Sequence, residues 1–321
     1  MQLSEKTILV ALGGNALSPG TGSGTISEQF AHTRQSLRVI LPFVRRGDRV
    51  AITHGNGPQV GDELLRVELA AGKVPTLPLG VAVAATQGTI GYMIEQSLQN
   101  ALLDEGIDRE VVALITQVIV RQDDAALQKP AKFIGHGYSR RQAEKLAALH
   151  GWDIARQAKG IWRRVVPSPT PLRIKGAASI RRLVESGSIV ITAGGGGIPA
   201  YVMDNGHLEG VDAVVDKDLA AAVLGENIGA SELYIITDVP EVYLHFNTDR
   251  QQALREITVN DAQAYIEEGQ FPEGSMGPKM AAALQFLKSG GRKVIITDID
   301  SIDQALAGQA GTVIHNQGTN R

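Results

Sequence analysis

Six short runs of branched aliphatic residues constrain this chain more than anything else in it. They read "TILVAL" from residue 7, "RVAIT" from 49, "VVALIT" from 111, "SIVITA" from 188, "LYIIT" from 233 and "KVIIT" from 293. Continuous Val/Ile runs without polar alternation suit strands buried on both faces of a parallel sheet. Each run ends in glycine or a polar turn, and most lead into an amphipathic stretch. Such β–α alternation predicts an α/β protein with a doubly wound sheet and ligands at the carboxyl ends of its strands.

The helical segments read as 27–46, 58–71, 86–103 and 278–289. In the first, Ser27 is the expected N-cap and Phe30, Leu37, Ile40, Leu41 and Val44 form one apolar stripe, with a kink or an early end at Pro42. The segments at 58 and 278 open on proline, which suits the first helical position. One interval does not alternate. Residues 121–170 are basic, hold both tryptophans and end in a proline-rich segment. They read as an excursion from the sheet, a small protruding subdomain. A second lobe begins at 210, with "GVDAVVDKDLAAAVLG".

At 321 residues the chain has room for one large α/β domain or two lobes. Its net charge of −3 argues against nucleic acid or an acidic membrane as the main partner. With no cysteine there is no disulfide, thiol catalysis or cysteine-ligated zinc. Neither a secretory segment nor a membrane-length apolar run is legible, so a soluble cytoplasmic protein is expected.

The chemistry-bearing signals are glycine loops and lysines. No GxxxxGK[ST] phosphate loop is present. Gly195-x-Gly197-x-x-Ala200 matches a dinucleotide fingerprint in letters, but the residues after it do not open a helix. The histidines show no metal-site spacing, and His54 reads as a local hydrogen-bonding group at a strand end rather than a base. "GGN" (Gly13, Gly14, Asn15), "HGNGP" (His54 to Pro58) and "GGGG" (Gly194 to Gly197) all follow strands, which in a parallel sheet puts them along one edge. Loops lacking Cβ atoms let backbone N–H groups approach an anion. Taken singly, each loop is as readily a simple turn. Lys132, Lys217 and Lys279 sit in Gly/Pro or Asp settings. Lys217 stands between Asp216 and Asp218 directly after "AVV", where charges need mutual pairing or a ligand. Fixed positive charge of this kind is what phosphoryl transfer requires.

In order along the chain, "VALGGNAL", "THGNGPQVG", "TQGTIGYM", "WRRVVPSP", "GGGGIP", "VDAVVDKDLA" and "GSMGPK" resemble the carbamate kinases of the amino-acid kinase superfamily, over residues 7–314. The resemblance implies a three-layer αβα open sandwich with a mostly parallel central sheet, a homodimer, and reversible phosphoryl transfer between ATP and carbamate with Mg²⁺ as cofactor. It implies an N-terminal lobe, 1–209, for carbamate or carbamoyl phosphate and for dimerisation, and a C-terminal lobe, 210–321, for ATP or ADP. By the same resemblance, Gly13, Gly14, Asn15, Gly55, Asn56, Gly57, Gly195 and Gly196 would line the acceptor pocket, with Asn56 pointing inward. Lys132 would reach in from the excursion. Lys217 would stabilise the transferring phosphoryl, Asp218 would orient the lysines, and Lys279 would meet the nucleotide phosphates. Asp216, Thr237, Asp238, Tyr243, Ser275, Met276, Gly277 and Pro278 would lie with the nucleotide. No protein-held metal ligand is implied.

Three departures stand out. His136 and Gly137 replace a Pro-Phe pair in "KPAKFIGHGY", Gly80 replaces an acidic residue, and Pro240 stands where Asp is common. Those at His136 and Gly80 keep open a kinase for another small carbamoyl or acyl anion, and a non-catalytic sensor of nucleotide or carbamoyl phosphate is a separate alternative.

Overall fold

The structure, a computed structural model, describes residues 3–14, 24–157, 160–272 and 274–316. Asn15 lies outside them. Along the chain run β1 (Thr7–Leu12), α1 (Ile26–Ser36), α2 (Leu41–Arg45), β2 (Arg49–His54), α3 (Gly57–Leu69), α4 (Leu79–Asp104), β3 (Val111–Ala113) and β4 (Gln117–Val120). Then come β5 (Lys132–Tyr138), α5 (Arg140–His150), β6 (Asp153–Arg156), β7 (Trp162–Val166), β8 (Pro171–Ile174), α6 (Ala177–Glu185) and β9 (Ile189–Ile191). The remainder comprises β10 (Ile198–Val202), β11 (Leu208–Gly210), α7 (Lys217–Ile228), β12 (Glu232–Ile236), β13 (Val242–Leu244), β14 (Gln252–Leu254) and β15 (Glu256–Thr258), followed by α8 (Val259–Glu267), α9 (Met276–Lys288), β16 (Lys293–Thr297), α10 (Ile302–Leu306) and β17 (Thr312–His315).

The six apolar runs all enter one eight-stranded sheet, ordered β15-β17-β16-β12-β1-β2-β9-β3. Every neighbouring pair is parallel except β16 with β17. The expected α/β architecture with a mostly parallel central sheet is therefore present. β1 shows why its sequence does not alternate. Ile8, Val10 and Leu12 pack into one core with α2 and α4. Leu9 and Ala11 pack into the opposite core with α6, α7 and α9. Both faces are dry, so an apolar residue is stabilising at every position, by roughly 1.5–3 kcal/mol for each large one. A third, smaller cluster joins Val60, Leu64, Leu79, Val83, Ile134 and Val166 between α3, α4 and the β5/β7 pair.

Helix boundaries departed from expectation where side chains or distant segments set them. The segment at 27–46 is two helices. Thr25, not Ser27, is the N-cap, because its hydroxyl and the Glu28 carboxylate form a capping box two residues earlier. Pro42 falls in the first turn of α2, where its missing N–H costs nothing. The helix expected from 86 begins at Leu79, whose backbone N–H is taken up by Asp212 Oδ1 at 3.1 Å. The run "VVALIT" leaves the central sheet after Ala113, and its continuation feeds β4 of a second sheet, ordered β11-β10-β4-β8.

Within the interval 121–170, β5, β7 and β6 form an antiparallel sheet of their own, and none of them joins the central one. Arg140 lies over the Trp162 ring and Arg164 over the Trp152 ring, at 5.6 and 5.1 Å. Cation–π pairing thus steadies an element with few buried residues. Among the described residues, no helix is long and apolar enough to cross a membrane.

Candidate active site

Because β1, β2 and β9 are consecutive parallel neighbours, the loops leaving their carboxyl ends meet. The approach is close enough to exclude side chains. A Cβ built on Gly55 would stand 2.8 Å from the Gly14 nitrogen, and backbone cannot give way there. Gly195, at φ +65°, has the Asn56 amide where its own Cβ would be. After Gly194–Gly196 the chain enters β10 rather than a helix, as the failed dinucleotide fingerprint implied. Gln87 of α4 ties this loop down: its amide donates to the carbonyls of Gly194 and Thr116 at 3.0 and 3.1 Å and accepts from the Thr116 N–H at 2.7 Å.

Two cavities open beside these loops. One, of about 480 Å³, is lined by Gly14, Gly55, Asn56, Gly57, Gly195, Lys132, Arg163, Asp216, Lys217, Asp218, Pro278 and Lys279 among others. The other, of about 460 Å³, is lined by Gly13, Thr237, Asp238, Tyr243, Phe246, Phe271 and Met276 among others. Gly14, Lys217, Gly274, Ser275 and Lys279 belong to both, so the cavities meet at the lysines. The first is the more polar and carries four cations against two carboxylates. The second has an aromatic wall, in which the Tyr243 and Phe246 rings lie 6.0 Å apart.

The charges are organised by the start of α7. Asp216 is its N-cap, and Oδ1 accepts from the Asp218 N–H at 2.9 Å. Its other oxygen takes Lys132 Nζ at 2.7 Å, from β5. Asp218 is 3% exposed and accepts from Lys217 and, at 3.2 Å, from Lys279 of α9. Burial by itself pushes the Asp218 carboxyl up, but Lys217 and Lys279 outweigh it and hold the group below the ordinary carboxylate range. One buried anion thus fixes two ammonium groups whose outer faces remain available to a ligand.

His54 is buried and its Nδ1 donates to the Gly55 carbonyl at 2.9 Å. Burial pushes its pKa down to about 4, with the nearby Lys217 charge adding to the effect, so the ring is neutral at pH 7. This agrees with its reading as a structural group. The buried Asn56 borders the polar cavity, and its amide nitrogen donates to Thr86 Oγ1 at 2.9 Å.

Not every expected residue faces a cavity. Gly196 is packed under the Val215 carbonyl, and Gly277 under that of Pro272. Asp216 borders the polar cavity with Lys132 rather than the aromatic one. Arg163, Phe246 and Phe271 line cavities without having been singled out. Arg163 lay inside the "WRRVVPSP" motif, which was its only signal.

The described residues contain no group of three or more His, Cys, Asp or Glu able to hold a metal ion. The model of the amino acid kinase family matches residues 6–298. The chain belongs to the amino acid kinase family. Within the family it is 45% identical over 309 residues to a carbamate kinase of Pyrococcus horikoshii, covering 96% of this chain and 98% of the relative. A carbamate kinase of Trichomonas vaginalis is 44% identical over 309 residues, with the same coverage. The solved structure of a carbamate kinase from Giardia lamblia bound to AMP-PNP superposes with a TM-score of 0.90 at 36% identity, covering 97% of this chain and 99% of that one. The likeness read from the ordered motifs is borne out along this amino acid kinase's length.

Proposed function

We propose that this amino acid kinase is a carbamate kinase, catalysing reversible transfer of a phosphoryl group between ATP and carbamate. The observation that carries the reading is the junction itself: a polar, cationic cavity and an aromatic-walled one share Lys217 and Lys279, both fixed by the buried Asp218. The relatives named above are carbamate kinases, and one binds AMP-PNP.

In this reading ATP or ADP occupies the aromatic cavity, and carbamate or carbamoyl phosphate the polar one. A carbamate oxygen attacks the γ-phosphorus, the bond from that phosphorus to the β-γ bridging oxygen breaks, and ADP leaves with the electron pair. Carbamate is already an anionic nucleophile, so no general base is needed. Neutral His54 and lysine-bound Asp218 fit that economy. Lys217 and Lys279 meet the charge that spreads over the transferring oxygens, and Gly14 and Gly57 offer backbone N–H groups, those of Gly13 and Gly55 being bonded to the Ile236 and Leu12 carbonyls. Carbamoyl phosphate is a mixed anhydride, which favours the direction that makes ATP.

Two of the carboxylates bordering the cavities are bound to lysines, so the residues fit a Mg²⁺ that arrives on the nucleotide and keeps its waters rather than one held in a protein cage. When bound it neutralises charge on the β- and γ-phosphates. Residues 1–209 as the acceptor-binding and dimerising lobe, 210–321 as the nucleotide lobe, a homodimeric state and a cytoplasmic location belong to the same proposal.

Purified protein given ADP, Mg²⁺ and carbamoyl phosphate should form ATP in a luciferase-coupled assay. Lys217→Ala should lower kcat by roughly 10²–10³-fold, and should lower the melting temperature too, because the buried Asp218 then keeps only Lys279. A panel of acyl phosphates should be used more slowly than carbamoyl phosphate. Absence of ATP with wild-type protein refutes the reading, and faster use of another acyl phosphate reassigns the acceptor.

A further inference from the structure

The ladder between β5 and β7 breaks between Ile134 and Tyr138. At that gap Arg163 of β7 reaches across, and its Nη2 donates to the Gly135 carbonyl at 2.5 Å. Nη1 donates to Gln157 Oε1 at 3.4 Å, and Nε is buried with no partner. The same side chain borders the polar cavity beside Lys132. Gly135 has φ +69°, and its other side rests on α3, where a Cβ on Gly61 would lie 3.4 Å from the Gly135 Cα. Further along the seam, His136 meets Asp62 at 3.2 Å and the Tyr138 hydroxyl donates to Glu68 at 3.1 Å. α3 begins at Gly57, in the loop that lines the same cavity.

The bulge is therefore held from one side by a helix and from the other by a guanidinium standing in for the missing ladder bonds. We propose that Arg163 is a positioning residue for the phosphoryl acceptor: by holding the Gly135 carbonyl it fixes β5 three residues beyond Lys132, and so sets where that ammonium stands. This rests on the reaction assigned above. Charge alone does not suffice, because a lysine at 163 has no planar fork to span Gly135 and Gln157.

The test compares Arg163→Lys and Arg163→Met with the wild type. Steady-state assays in the ATP-forming direction should show the KM for carbamoyl phosphate raised tenfold or more in both variants. The KM for ADP should stay within twofold. An Arg163→Lys enzyme indistinguishable from wild type, or an equal rise in both KM values, overturns the proposal. A second measurement does not depend on turnover. Trp162 neighbours Arg163 in β7 and Trp152 directly precedes β6 of the same three-stranded sheet, so their fluorescence reports on it. Titrating inorganic phosphate without nucleotide should change that fluorescence in the wild type, with a midpoint at least several-fold higher in both variants. An unmoved midpoint, or no response in the wild type, overturns the role of Arg163. Failure of the wild type to make ATP from carbamoyl phosphate refutes the functional assignment instead, and the phosphate titration still decides Arg163. Arg163→Lys keeps length and charge and so guards against loss of fold.

Discussion

His54 and Lys217 occupy neighbouring ground and serve opposite ends. The imidazole is a buried wedge, close enough that a Cβ on Gly194 would lie 2.3 Å from its Nε2, while Lys217 borders both cavities. The pKa of His54 falls from 6.5 in the unfolded chain to about 4 in the folded one. Between those values the unfolded chain binds a proton there that the native state refuses. Stability from this site is thus complete above pH 6.5 and is lost as pH falls toward 4, by roughly 3 kcal/mol in all. Urea midpoints measured from pH 7.5 to 4 should fall more steeply for the wild type than for His54→Asn. Equal slopes would show that the ring is not held neutral.

At the scale of elements, the first turn of α7 combines two tasks in one carboxylate. Asp216 caps the helix with Oδ1 and holds Lys132 with Oδ2. Asparagine is as good a cap as aspartate but has no charge for the lysine. Asp216→Ala should cost about 1 kcal/mol of stability through the lost cap, and Asp216→Asn should retain most of it. Both should change the KM for carbamoyl phosphate, because both release Lys132. Equal destabilisation by the two variants would put the ion pair, not the cap, at the centre of this turn. The same scale shows what was legible locally. Thr7–Leu12 and Lys293–Thr297 are strands at the boundaries their sequences suggested. The start of α4 was not legible, because its first N–H is satisfied by Asp212, 133 residues away.

For the whole molecule, what matters is that two unlike cavities share a row of cations. The polar one has a net of two positive charges, whereas the other is the more apolar and adds Tyr243, Phe246 and Phe271. Salt screens charge but leaves apolar contact intact. Raising ionic strength from 0.05 to 0.5 M should therefore raise the KM for carbamoyl phosphate by a larger factor than that for ADP. Titration calorimetry of each ligand alone checks the same ordering, and a larger loss for ADP would contradict the division of labour between the cavities.

The sequence by itself determined the strands, the glycine loops that follow them and the kinship those loops announce. These depend on short-range rules: an apolar residue at every position where both faces are buried, and no Cβ where backbones must touch. Only the tertiary structure decided which charges meet. Lys279 reaches Asp218 across 61 residues of chain and Lys132 reaches Asp216 across 84. It also turned Arg163 from one letter of a motif into part of a wall, and withdrew Gly196 and Gly277 from the cavities. The reason is that such contacts follow from strand order and from where loops converge, and no local periodicity encodes either.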